Sequence, residues 1–140
     1  MSDIAPPPQG AYVAATIHNG VVQTAGMTPR LDGVLQSTGS VGLDLTLEQG
    51  YSAAELCARN ALAAATSVAG DLERCLQMTV YIACSDGFTQ LSAVADGASS
   101  AIIEALGHDA LPARAAVGVK HLPSGASVEV AITALARTKN

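Results

Sequence analysis

The stretch CLQMTVYIAC, residues 75–84, constrains this chain most. A near-continuous apolar run of that kind reads as a strand buried on both faces or at the centre of a sheet. A helical segment lies on either side of it. The preceding LDLTLEQGYSAAELCARNALAAATSVAGD is rich in alanine, and Thr46 and Gln49 have capping-box spacing. The helix is expected to run to Ala69 and stop at Gly70, with Leu56, Leu62 and Ala63 supplying an apolar stripe. After the run, Ser85 and Asp86 are candidate caps for a second helix over residues 88–106, closed by Gly107.

Strands flank this centre. In AYVAATIHNGVVQTAG, Asn19-Gly20 is the strongest two-residue hairpin signal, joining strands over 12–17 and 21–25. The long connection GMTPRLDGVLQSTGSVG follows, of a length that marks a functional or interface loop. The last strands are expected over 113–119 and 127–135, with HLPSG turning between them. The order β-β-α-β-α-β-β describes one α+β domain over residues 1–140, a mixed sheet with both helices on one face. The opposite face then lacks a cover, which points to a homo-oligomer.

Composition supports that expectation. Charged residues are 14% of the chain, against about 25% in a typical soluble domain. Three Tyr, one Phe and no Trp leave alanine and valine to build the core, so elements must approach closely. The net charge of −5 and the scattered basic residues argue against nucleic acid as a partner. No apolar run approaches the ~18 residues of a membrane span, and MSDIAPPPQG has no signal-peptide pattern. Three cysteines without a CxxC read as reduced core thiols, and the expected location is cytoplasmic.

Arg114, in LPARAAVGV, is the sharpest chemical signal. Its small neighbours leave room for a ligand and let a planar fork hold a carboxylate, making it the one strand candidate for a positive anchor. The alternative is a structural ion pair with Glu129 or with an acid on a helix. Glu129, in SVEV, lies opposite the face of Val128, Val130 and Ile132. Whether Arg114 and Glu129 share a face is open at this level. His18, His108 and His121 lack metal-ligand spacing, and no GxSxG elbow or phosphate loop is present.

Four features in order, GAYV, TAGMTP, PARAAVGV and LPSGASVEVAI, with the intervening AAELCARNALAAA, GDLERCLQMTVYI and GFTQLSAV, resemble the reactive intermediate deaminase (Rid, YjgF-like) family. That family was long labelled endoribonuclease L-PSP or translation initiation inhibitor. The resemblance implies a chorismate-mutase-like homotrimer with clefts between subunits. It also implies hydrolysis of reactive enamine or imine intermediates, 2-imino acids, to 2-keto acids and ammonia, with no metal or organic cofactor. By position, Arg114 would hold the substrate carboxylate and Glu129 would orient or deprotonate the water. Tyr12 would line the cleft, and Gly26 would allow close backbone approach. Three positions depart from the family pattern: Ala25 stands for a serine, Ala116 for a cysteine, and Ser92 for a cleft asparagine. Those losses make the pocket roomier and less polar. They keep a second reading in play, a non-catalytic module binding small keto acids or other carboxylates. An acidic chain without an acid–base histidine pair argues against ribonuclease chemistry.

Overall fold

The computed structural model describes residues 4–138. The first hairpin pairs β1 (Ala15–His18) with β2 (Val21–Thr24) around Asn19 and Gly20, at φ 49° and 80°. That left-handed pair is what a type I′ turn requires. The strands are shorter than expected at the start. The chain turns at residues 10–12, where Tyr12 N–H donates to the Gly10 carbonyl at 3.0 Å, so Tyr12 precedes the strand.

The long connection is partly regular. Residues Arg30–Leu31 (β3) and Val34–Leu35 (β4) form a second small hairpin around Asp32 and Gly33, at φ 51° and 80°. Asp-Gly performs there the same turn chemistry as Asn-Gly in the first hairpin.

Helix α1 spans Leu47–Ala69, and both capping-box bonds form. Gln49 N–H donates to Thr46 Oγ1 at 3.1 Å, and Thr46 N–H donates to Gln49 Oε1 at 2.9 Å. Its buried face is built mainly from Ala54, Cys57, Ala58, Ala61, Leu62 and Ala65. Leu56 and Ala63, expected in that stripe, lie half-buried at its margins. Side chains this small let the helix axis sit close to the sheet.

The expected central strand is β5 (Leu72–Ala83), with β7 (Val128–Ala136) on one side and β6 (Ala113–Val119) on the other. Ser85 and Asp86 cap nothing. Phe88 N–H donates to the Ser85 carbonyl at 3.1 Å, closing a turn through Gly87 at φ 83°. That turn delays α2 to Leu91–Leu106, where Gln90 makes no side-chain cap bond. At Gly97 the two helices approach so closely that an added Cβ would overlap the Tyr51 carbonyl.

The sheet order is β1-β2-β7-β5-β6, with β6 parallel to β5 and the other pairs antiparallel. The two strands joined by HLPSG are therefore separated by β5. Helix α1 packs on β7, β1 and β2, and α2 packs on β5 and β6. Met78, Val80, Ile82, Val128, Val130 and Ile132 all face them and are buried. On the opposite face Thr79, Tyr81, Ala131 and Thr133 are half-buried, and no helix among the described residues covers them. Among the described residues no helix is long and apolar enough to cross a membrane.

Candidate functional site

Strand register decides which candidate residues meet. Arg114 is opposite Met78 and Glu129 is opposite Tyr81, both on β5. Positions 78 and 81 differ by an odd number, so their side chains leave opposite faces of the sheet. One chain thus holds Arg114 and Glu129 apart, on two different surfaces.

The first surface lies where the edge strand β6 meets α2. Arg114, second residue of β6, points to the helix side and runs to a stripe of α2 formed by Ser92, Asp96 and Ser99. Its Nη1 donates to Asp96 Oδ1 at 2.8 Å and to Ser99 Oγ at 2.9 Å. Its Nη2 donates to Ser92 Oγ at 2.8 Å and to the Ser92 carbonyl at 3.4 Å. The arginine side chain is 20% exposed and the Asp96 side chain 63%. The helix-acid alternative for Arg114 is therefore realised, and the guanidinium is already engaged within the chain. A cavity of about 530 Å³ opens beside it, lined also by Asp96, Ser99, Tyr51 and Ile103. Ala116, opposite Val80, is on the same side and half-buried against the core.

The second surface is built around Gly26. Met27 exchanges backbone hydrogen bonds with Val130, at 2.8 and 2.9 Å, which brings the segment after β2 alongside β7. A Cβ on Gly26 would overlap the Glu129 carboxylate, so glycine here lets that side chain lie against the backbone. Burial raises the Glu129 carboxyl above the ordinary glutamate value. Ala25 packs half-buried against the core, its N–H donating to the Ala14 carbonyl at 2.8 Å. Tyr12 is half exposed, and its hydroxyl accepts from Gln9 N–H at 3.2 Å. Tyr12 and Gly26 share the walls of a small cavity of about 20 Å³ with Pro7, Met27 and Arg30.

Four residues near these surfaces, Asp96, Ser99, Arg30 and Arg74, were not found from sequence. Asp96 and Ser99 follow Ser92 at helical spacing, so they were readable once α2 was placed against β6. Arg30 opens β3, and Arg74 is on β5, so Arg114 is not the one strand arginine. Arg74 is consumed by the Cys75 and Leu111 carbonyls at 3.1 and 2.7 Å. Arg30 donates from Nη1 to the Gly33 carbonyl at 3.1 Å, while its buried Nε has no partner. The Asp-Gly turn was the signal that would have put Arg30 on a strand.

Burial pushes the Cys57 thiol well up and that of Cys75 to about 11, which makes these two poor nucleophiles. Cys84 is half-buried.

Comparison with known proteins agrees with this architecture. Residues 3–136 match the family model described as endoribonuclease L-PSP. Protein TCP17 of Trypanosoma cruzi is 35% identical over 127 residues, covering 88% of this chain and 79% of that protein. The crystal structure of Atu1372 from Agrobacterium tumefaciens superposes with a TM-score of 0.87 at 32% identity, covering 94% of this chain and 87% of that one. E. coli TdcF, solved with bound serine, shares the fold with a TM-score of 0.69 at 22% identity, covering 99% of this chain and 97% of that one. With two helices on one face of a mixed sheet and a match over nearly its full length, the chain belongs to the endoribonuclease L-PSP family, also called the YjgF or Rid family, and has its chorismate-mutase-like fold.

Proposed function

We propose that this protein hydrolyses 2-imino acids, reactive enamine or imine intermediates, to 2-keto acids and ammonia, in clefts between the subunits of a homotrimer. The observation that carries this reading is the division of the candidate residues between two surfaces of one chain. Arg114, Ser92 and Ala116 are on the α2–β6 side, and Tyr12, Gly26 and Glu129 are on the other, with Ala25 packed against the core beside Gly26. A cleft shared by two copies needs that distribution, because each copy then supplies one half of two different sites.

Within such a cleft the chemistry is simple. Arg114 holds the substrate carboxylate. A protonated imine carbon is electrophilic without a covalent nucleophile, so water can attack it directly. Glu129 takes the proton from that water, and burial makes it a stronger base than an exposed glutamate. The resulting carbinolamine transfers a proton to nitrogen, the C–N bond breaks, and ammonia leaves as the carbonyl forms. No metal or organic cofactor takes part. Positioning and general-base help could each contribute roughly 10²–10⁴-fold. The test is release of ammonia and keto acid from imines generated in situ. Wild type should exceed Arg114→Ala and Glu129→Gln by at least about 100-fold. Equal rates for all three would remove the mechanism.

One observation favours a second reading, a non-catalytic module that binds small carboxylates. Both terminal nitrogens of Arg114 are already occupied by Ser92, Asp96 and Ser99 on α2, which leaves the guanidinium no free fork for a substrate carboxylate. Stabilisation by 2-oxobutanoate in a thermal shift, with no imine turnover, would favour the module. Serine bound to TdcF shows that one protein of this fold holds a small carboxylate.

A further inference from the structure

We infer that Asp96 is a resident counter-ion seated where a ligand carboxylate would bind Arg114, so that it weakens the hold of the site on simple anions and has to be displaced by them. This rests on the reading of Arg114 as the carboxylate anchor.

The contacts of Arg114 are unequal in kind. Ser92 and Ser99 are neutral acceptors, and they keep the guanidinium in place at 2.8 and 2.9 Å. Asp96 supplies the only charge in the set, through one oxygen at 2.8 Å. A ligand carboxylate that bridges both terminal nitrogens makes the stronger bidentate geometry, which Asp96 does not attain. The two members of the pair also differ in freedom. Arg114 is anchored and 20% exposed, whereas the Asp96 side chain is 63% exposed and can turn toward water. Both line the same cavity of about 530 Å³, so the space a ligand would enter adjoins the aspartate. An entering carboxylate therefore meets repulsion from Asp96 as well as competition for Nη1.

Isothermal titration with 2-oxobutanoate distinguishes the possibilities. Asp96→Asn keeps an acceptor for Nη1 and removes the charge, and it should tighten binding about three- to tenfold. The gain should shrink at high salt. Ser99→Ala loosens the arginine without altering charge and should give no gain. Arg114→Lys loses the fork and should weaken binding both in the wild-type background and when combined with Asp96→Asn. Equal or weaker binding by Asp96→Asn, with Arg114→Lys still harmful, overturns the inference and leaves the anchor standing. Should Arg114→Lys be harmless in both backgrounds, or should no variant bind, the anchor itself falls and the role of Asp96 with it.

Discussion

The Glu129 carboxylate occupies the space that a side chain at position 26 would fill. Gly26→Ala should therefore force the glutamate or the backbone aside and cost about 1–3 kcal/mol. Pairing it with Glu129→Ala should recover most of that loss, because the obstruction is the carboxylate and not the main chain. Chemical denaturation of the two single variants and the double variant measures the coupling. Additive losses would separate the two residues.

The raised carboxyl of Glu129 has a stability consequence of definite sign. The folded chain holds this proton to a higher pH than the unfolded chain, whose glutamate titrates near 4.5. Between those two values the folded state binds more protons, so this contribution falls as pH rises through the window. Above it, the buried charge remains a constant cost. Glu129→Gln removes that cost, and the variant should melt higher than wild type at pH 7. The difference should vanish once the pH drops below the ordinary glutamate value. A melting curve series from pH 3 to about pH 8 checks both limbs.

In the proposed assembly, Arg114 and Glu129 of one active cleft come from different copies. Arg114→Ala and Glu129→Gln are each expected to be inactive alone. Refolded together in equal amounts, they should regain about one quarter of wild-type activity, because one cleft in four draws both intact residues. Sedimentation should show a trimer for every sample. Absence of regained activity in mixed trimers would overturn the shared cleft.

Gly97 predicts a large effect far from any chemistry. An alanine there meets the Tyr51 backbone carbonyl, which cannot rotate away as a side chain can. Gly97→Ala should push α2 from α1 and cost at least about 2–3 kcal/mol, despite the better helix propensity of alanine. Thermal denaturation reads it directly.

The elements are largely legible in the sequence because local chemistry determines them. Thr46 with Gln49 announces the start of α1, and Asn19-Gly20 announces the first hairpin. Asp32-Gly33 carries the same message inside a segment that reads only as a loop, because its flanking strands are two residues each. The start of α2 is hidden because Ser85, a plausible cap by type, is spent on a turn stabilised from Val41, a contact distant in sequence. The site is less legible for a related reason. Whether Arg114 and Glu129 share a face depends on β5 lying between their strands, and no local pattern encodes that order. Asp96 is ordinary on a helix until β6 brings Arg114 beside it.

The position of β7 carries a consequence for how the molecule is made. It is the last strand in sequence, yet it joins β1–β2 to β5–β6. As the polypeptide emerges from the ribosome, the early hairpin and the later parallel pair have no shared ladder. Each offers a strand edge that β7 pairs in the finished sheet, at long range in sequence. Closing the sheet is thus a late, long-range event, and substitutions in residues 128–136 should retard maturation more than equivalent changes in β1.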